Sequence, residues 1–346
     1  MARIVVVTPN PAIDVTYRVA EQVIGETVRV QSVTSSPGGK GINVVRVLRR
    51  LGLDATAVQP LGGASGAWIG AELAAEGIIT VSVEAEAETR RTVAVVDDIA
   101  HPTLFSESGG ALCESAWAAL TDAITQHCEQ GGFLIVAGSF PPAATAHHVA
   151  ALVAAGRRAG ATVIVDASGP ALLAAADAGA DVLKPNEAEV LEATGAATIE
   201  NGCDELLERG AGAVLVSRGS AGSMLVVHEG AGSPTSDGDA PIWQRGVPGV
   251  TGNPTGAGDA ATAGLVFALT AGWSLPDALL SAAVVGAAAV LAPTAGEIDP
   301  DRLAFLAARL GDRVLPPAPQ HTTSASSSIS GSASASRPHS NPTAPR

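Results

Sequence analysis

The sequence predicts an α/β protein in which a doubly wound, mostly parallel β-sheet is flanked by helices and a small β-sheet forms a lid beside it. Three observations indicate this fold. Residues 3–8 form a β-branched run that is typical of a strand covered on both faces. Strand and helix patterns alternate regularly between residues 133 and 194. Shorter, half-polar segments at about 15–33 and 81–105 interrupt this alternation, as expected for an antiparallel lid with one exposed face.

The composition predicts one large folded domain followed by a tail. A chain of 346 residues that is 47% hydrophobic and 16% charged can bury a large core, and we assign residues 1–315 to it. Residues 316–346 consist mostly of Pro, Ser, Ala, Thr and His, with hardly any large apolar side chain. Such a segment cannot bury enough apolar surface to offset its ordering entropy, so we expect a disordered tail.

The charge excludes two classes of partner. A net charge of −14 argues against nucleic acid or an anionic membrane, so anionic ligands must be held by local Lys, Arg and backbone N–H groups. The most apolar run, residues 279–292, is too short to span a membrane. The three cysteines have no metal-type spacing, and the N-terminus lacks the pattern of a signal peptide. These features are typical of a cytoplasmic protein.

The first strand is followed by an isolated acid. Asp14 lies just past the expected carboxyl end of the strand at residues 3–8. Ligands of open α/β sheets gather at that end, so Asp14 could hold sugar hydroxyls. A turn aspartate that caps its own backbone is an equally good interpretation of the same residue.

Residues 37–43 (PGGKGIN) open a predicted helix with three glycines and a lysine. The segment brings bare backbone, a cation and an amide side chain to a helix N-terminus, through Gly38, Gly39, Lys40 and Asn43. The spacing matches neither the Walker motif nor the dinucleotide-binding glycine motif.

Several later segments follow predicted strands and should therefore share one rim of the sheet with Asp14. They are residues 138–142, 166–170, 184–189 and 214–223. Asn186 and Glu189 would share the first turn of a helix, which suits Mg²⁺ held through water, although a helix cap needs the same residues. The glycine turn at 217–222 could approach a nucleotide or simply close a hairpin.

Residues 251–264 join a glycine-rich turn to an alanine-rich helix. Small residues at 256–258 allow close backbone approach to an anion, and the helix start supplies unpaired N–H groups. Asp259 could be a favourable charge at a helix start, or a base that accepts a proton from a hydroxyl while the amides hold a phosphoryl group.

Taken in order, these segments resemble the ribokinase-like (PfkB) sugar kinases, in the branch of phosphofructokinases and tagatose-6-phosphate kinases. The resemblance covers residues 3–312. It rests on Asp14, residues 37–43, residues 138–142, Lys184 to Glu189, residues 217–222 and residues 253–259.

The resemblance implies ATP and Mg²⁺ as cofactors and a role for each matching residue. Asp259 would be the catalytic base, and the amides of Gly256, Ala257 and Gly258 would form the anion hole. Asn186 and Glu189 would organise Mg²⁺, and the nucleotide would lie against Lys184, Asn186, Glu189, Ser217, Gly219 and Gly222. The sugar would be held by Asp14, Gly38, Gly39, Lys40 and Asn43.

The acceptor is expected to be a sugar phosphate. Arg29, Arg90 and Ser139 occupy the places where this branch holds a phosphate, and arginines bind phosphate by forked hydrogen bonds. Residues 89–94 (TRRTVA) lack the Asn and Lys usual in 1-phosphofructokinases, whereas residues 28–31 (VRVQ) look more like tagatose-6-phosphate kinases. We therefore expect a ketohexose 6-phosphate phosphorylated at O1, with fructose 1-phosphate phosphorylated at O6 as the alternative.

Two other functions are compatible with the same sequence features. A kinase for unphosphorylated sugars and a non-catalytic sugar-phosphate sensor would both suit the fold. Arg218 stands where the family usually has Leu, a difference that could alter the nucleotide cleft. The resemblance also implies a homodimer formed through the lid.

Overall fold

The computed structural model describes residues 2–97, 99, 102–228, 241–292, 294–311 and 314–317. Residues 318–346, which make up nearly all of the predicted tail, lie outside the described residues. The strands are β1 (Ile4–Val7), β2 (Ala12–Arg18), β3 (Ser32–Gly38), β4 (Thr56–Leu61), β5 (Ile79–Glu84), β6 (Arg90–Val96), β7 (Thr103–Ser106), β8 (Phe133–Ala137), β9 (Thr162–Asp166), β10 (Val182–Leu183), β11 (Ala213–Ser217), β12 (Ser223–Val227) and β13 (Ile242–Gln244). The helices are α1 (Lys40–Arg50), α2 (Gly63–Ala75), α3 (Glu114–His127), α4 (Ala146–Arg158), α5 (Pro170–Asp177), α6 (Glu187–Thr194), α7 (Ile199–Glu208), α8 (Ala257–Thr270), α9 (Leu275–Val290) and α10 (Pro300–Leu310).

The main sheet has the strand order β13-β12-β11-β10-β9-β8-β1-β4-β5, and β12 alone runs against its neighbours among the strands of the described residues. Central strands are apolar on both faces because helices cover both. In β1, Ile4 and Val6 pack in the layer of α1, α2, α8, α9 and α10, while Val5 and Val7 pack in the layer of α3 to α7. The predicted doubly wound α/β fold is confirmed.

A second sheet of four strands, in the order β3-β2-β6-β7, forms the lid. Its strands differ from the predicted ones. Residues 27–31 are not in a strand, since β3 begins at Ser32, and β5 pairs with β4 at the edge of the main sheet rather than within the lid. An edge strand is half exposed, so its alternating pattern cannot be distinguished from that of a lid strand by sequence.

The lid also includes two residues that lie outside its predicted ranges of about 15–33 and 81–105. Asp14 lies in the middle of β2, opposite Ser36 of β3, and Gly38 is the last residue of β3. Because β2 begins only five positions after β1 ends, the chain enters the lid directly at the rim of the main sheet.

The carboxyl ends of the parallel strands meet along one rim. β1 lies between β4 and β8, so the order of connections reverses beside it, and such a switch point is where open α/β sheets bind ligands. None of the described helices combines the length and apolarity that crossing a membrane requires.

Candidate active site

The start of α8 is built to leave backbone amides exposed toward the rim. Gly256 precedes the helix in the left-handed region, with φ of 81°, and a Cβ there would come within 2.8 Å of Ala295 Cβ. Glycine is therefore required at this position. The amide of Ala257 donates to Pro254 O at 3.1 Å, whereas those of Gly256 and Gly258 have no acceptor within the described part of the chain. Two amides, rather than the three that the resemblance implied, are free to bind an anion.

Asp259 follows in the first turn of α8 and is buried. Its Oδ2 accepts a hydrogen bond from Asn43 Nδ2 of α1 at 2.8 Å. Burial, reinforced by the nearby Asp166 carboxylate, raises the pKa of Asp259 to about 7, although Asn43, Lys40 and Lys184 oppose the shift. A carboxyl group with this pKa can take up a proton near neutral pH, as a general base must.

Asp166, at the end of β9, is the central residue that sequence reasoning missed. It is 1% exposed and binds Lys40 Nζ at 2.7 Å and Lys184 Nζ at 2.8 Å. Thr262 Oγ1 of α8 also donates to it at 3.3 Å. Burial disfavours its charge, but the two lysines outweigh burial and lower the pKa of Asp166 to about 2. The sequence pattern places residues 166–170 at this rim, because they follow a predicted strand, but it assigns no role to Asp166.

The two lysines bring positive charge to the start of α8. A Cβ on Gly258 would lie 3.6 Å from Lys184 Nζ, so this ammonium is beside the free amides. Lys40 also lies 3.5 Å from Glu189 Oε1. Burial opposes the charge of Lys40, but the carboxylates of Asp166 and Glu189 raise its pKa above the ordinary value. Lys40 therefore stays protonated at neutral pH, and the ammonium groups of Lys40 and Lys184 favour an anion at this place.

On the other side of the rim, Asp14 faces two arginines. Burial raises the pKa of Asp14 to about 6, and the guanidinium groups of Arg90 and Arg46 counteract part of that shift. A Cβ on Gly38 would meet the Asp14 carboxyl group, so glycine makes room for this side chain. Arg46, a residue that was not predicted, is held by Glu76 through Nε at 2.8 Å.

Arg90 is held in one position at the junction of the lid and the main sheet. It donates to Asn10 O at 3.2 Å, Ser106 Oγ at 2.8 Å and Glu107 O at 2.9 Å. Its Nη2 reaches Ser139 Oγ at 3.5 Å, and Asn10 Nδ2 also donates to Ser139. The structure thus brings Arg90 and Ser139 together, as predicted.

Arg29 is not part of this group. It is exposed in the segment between β2 and β3 and makes no hydrogen bond or ion pair with the residues that the structure describes. The arginine pair expected at the lid is therefore not assembled within one chain.

At the part of the rim that is predicted to bind the nucleotide, the start of α6 meets the turn after β11. Ser217 N donates a hydrogen bond to Pro185 O at 3.0 Å, and Asn186 and Ser217 form an isolated parallel β-bridge. The turn contains Gly219 and Gly222 at φ of 54° and 103°, and a Cβ on Gly222 would overlap Gln244 O. The predicted nucleotide residues are therefore adjacent to one another and to β13.

Asn186 and Glu189 form a capping box at the start of α6. Asn186 Oδ1 accepts from Glu189 N at 2.9 Å, and Glu189 Oε2 accepts from Asn186 N at 2.8 Å. Within the described ranges no cluster of three His, Cys, Asp or Glu side chains is arranged to hold a metal. Direct ligation would compete with the cap, whereas Mg²⁺ held by phosphate oxygens and water fits this donor set.

Comparison with known proteins identifies the family of the chain. Residues 2–302 match the model of the pfkB family of carbohydrate kinases. The chain is 31% identical to 1-phosphofructokinase of Rhodobacter capsulatus, across 91% of this chain and 99% of that protein. It is also 31% identical to ATP-dependent 6-phosphofructokinase isozyme 2 of Escherichia coli (84% and 93%) and 29% identical to D-tagatose-1-phosphate kinase of Bacillus licheniformis (84% and 93%).

Solved structures give the same result. Phosphofructokinase-2 of Escherichia coli in complex with fructose-6-phosphate superimposes with a TM-score of 0.78 at 29% identity, covering 90% of this chain and 99% of that one. Ribokinase of Arabidopsis thaliana, at 22% identity, shares the fold with a TM-score of 0.68 over 88% of this chain and 99% of its own. The chain therefore belongs to the pfkB family of carbohydrate kinases and is a phosphofructokinase-type phosphotransferase with a sugar hydroxyl as acceptor.

Proposed function

We propose that this protein transfers the γ-phosphoryl group of ATP to a ketohexose phosphate, and that it converts tagatose 6-phosphate or fructose 6-phosphate into the 1,6-bisphosphate. The observation that carries this proposal is the fixed guanidinium of Arg90. It lies next to Ser139 and, by its charge, opposes the rise in the pKa of Asp14. A guanidinium held by three oxygen acceptors is ready to bind an anion without further ordering. Free sugars would make no use of it.

The sugar would lie between this anion site and Asp259. Asp14 accepts hydrogen bonds from ring hydroxyls, and the reacting hydroxyl faces Asp259. As the O–P bond to the acceptor forms and the bond to the leaving ADP oxygen breaks, Asp259 takes the acceptor proton. The amides of Gly256 and Gly258, with Lys184, stabilise the charge on the transferring group.

Asn186 and Glu189 would hold Mg²⁺ through water. The ion supplies neutralisation of the charge on the ATP phosphates. The helix start and the ammonium of Lys40 beside Glu189 then position the same phosphates from the protein side.

A 1-phosphate acceptor is the second candidate. It is favoured by the relatives, since one is named 1-phosphofructokinase and another D-tagatose-1-phosphate kinase. The same anion site would serve, with the sugar turned so that O6 faces Asp259.

The lid supports a homodimer. Side chains of its strands alternate, so the face opposite Asp14 carries apolar residues from all four strands: Val15, Tyr17, Val33, Val93, Val95 and Phe105. Phe105 remains 61% exposed. We propose that a second copy covers this face, because an exposed apolar sheet face is unfavourable in water.

A coupled assay of ADP release tests the activity. The acceptors are tagatose 6-phosphate, fructose 6-phosphate, fructose 1-phosphate, tagatose 1-phosphate and the two free hexoses, and the highest kcat/KM is expected with a 6-phosphate. Asp259→Asn should reduce kcat by at least about 100-fold while the sugar phosphate still binds, because proton transfer contributes about 100- to 10,000-fold. Equal kcat/KM on free fructose and fructose 6-phosphate, or binding without any ADP release, would refute the proposal.

A further inference from the structure

One charged side chain beside the proposed nucleotide cleft has contacts that the activity does not account for. Arg218 follows Ser217 directly, at the end of β11. Its Nε binds Glu187 Oε2 of α6 at 3.0 Å, and its guanidinium lies over the ring of Trp243 in β13, 5.1 Å from the centroid. A single side chain thus contacts two elements on either side of the turn.

The backbone of the same region is closely packed. A Cβ on Gly222 would overlap Gln244 O, and a Cβ on Gly246 would overlap Ser220 O. The backbone of the turn at 217–222 is therefore in close contact with the segment after β13. Ser217 N also binds Pro185 O, immediately before Asn186. β13 and the start of α6 therefore both contact residues that are proposed to bind the nucleotide.

Arg218 also compensates the negative charge of Glu187. Glu187 is the first residue of α6 and the neighbour of Asn186. Its carboxylate is paired with Arg218, which directly follows Ser217 of the proposed nucleotide site, so the guanidinium compensates its charge. Without Arg218, that carboxylate would repel the nucleotide.

We propose that Arg218 is a positioning residue for the donor nucleotide: it links the start of α6 to β13 across the turn at 217–222 and compensates Glu187. The proposal rests on the proposed function, since it takes residues 186–189 and 217–222 as the nucleotide site. It concerns binding of the donor and not the acceptor.

The test measures the Kd for MgATP by calorimetry and steady-state kinetics for both substrates. Arg218→Leu is expected to raise this Kd and the KM for ATP about fivefold, or about 1 kcal/mol, since tenfold corresponds to about 1.4 kcal/mol. The KM for the sugar phosphate and kcat at saturating ATP should stay within about twofold. Arg218→Lys keeps the positive charge, so its Kd for MgATP should lie between those of the wild type and Arg218→Leu.

A double variant separates charge compensation from a merely structural role. In Arg218→Leu/Glu187→Gln the repelling carboxylate is gone, so the Kd for MgATP should return at least halfway to the wild-type value on a logarithmic scale. Arg209→Leu is the matched control. Arg209 is 35% exposed against 29% for Arg218 and is likewise paired with acids, Asp177 and Glu205, but outside the site.

The outcomes are distinct. A Kd for MgATP within twofold of wild type in Arg218→Leu would overturn the proposal, as would a double variant no better than Arg218→Leu. An equal rise in Arg209→Leu would also overturn it, because the effect would then be one of stability alone. If the wild-type protein bound MgATP but released no ADP with any acceptor, the proposed function would fail and the binding comparison would still decide the role of Arg218.

Discussion

Replacing Asp166 with Asn should move the acid limb of the pH profile to lower pH. In the wild type, the pKa of Asp259 is about 7, roughly three units above the ordinary value of 3.8. Since one unit corresponds to about 1.4 kcal/mol, ionising Asp259 in the free site costs about 4 kcal/mol more than in water. Below this pKa the base is protonated and inactive, so kcat/KM for the sugar phosphate should fall tenfold per pH unit below about pH 7.

Asp166→Asn changes the charges around this base in one direction. The substitution removes a carboxylate that repels the ionised Asp259, and it releases Lys40 and Lys184, which attract it, from their shared partner. Both effects lower the pKa of Asp259, and we expect the midpoint to fall by about one unit or more. The maximal kcat/KM should also fall, because Lys40 and Lys184 lose the carboxylate that positions them. The quantity that tests the prediction is the midpoint of the acid limb.

The assay is kcat/KM against pH, from about 5.5 to 9, with folding of each variant checked by its thermal melt. Asp177→Asn is the matched control, since it also removes a carboxylate paired with a basic side chain, Arg209, and its profile should be unchanged. The pKa of Asp14 is about 6, but Asp166 is not among the groups that change it. A change in the midpoint of the acid limb in Asp166→Asn therefore reports on Asp259. A midpoint that stays in place or rises in Asp166→Asn would refute this reasoning.

Two further predictions concern the acceptor site and the lid. Arg90→Leu should raise the KM for the sugar phosphate by about 10- to 100-fold, since a charge-assisted hydrogen bond contributes about 1.5–3 kcal/mol, and leave the KM for ATP unchanged; parallel increases in both would contradict a phosphate-binding role. Phe105→Asp should dissociate the proposed dimer in sedimentation experiments, whereas Leu104→Asp, 59% exposed on the other face, should not. A wild-type protein that is monomeric at micromolar concentration with and without substrate would disprove the dimer.

Most of the fold was accessible from local patterns. Buried strands, amphipathic helices and glycine turns are set by residues near each other in the chain, so the alternation of strands and helices predicted the doubly wound sheet. The lid was predicted less well. Both a lid strand and the edge strand β5 have one exposed face, and only strand pairing shows that β5 belongs to the main sheet.

The motifs of the candidate active site could be predicted from the sequence for the same reason. The contacts between residues of different motifs could not. The turn before α8 and the position of Asp259 in its first turn follow from a few consecutive residues. By contrast, Asn43 and Asp259 are 216 positions apart, and Lys40 and Asp166 are 126 apart. No local rule connects such residues.

The sequence by itself therefore determined the type of fold, the glycine turn before α8 and the position of an acid, Asp259, in the first turn of that helix. Only the tertiary structure decided that Asp166 joins Lys40 and Lys184 next to Asp259 and that Arg90 lies beside Ser139 without Arg29. The physical reason is that pKa and charge depend on distance and burial in space. Those are set by how α1, β9 and α8 pack at one rim, and not by their order along the chain.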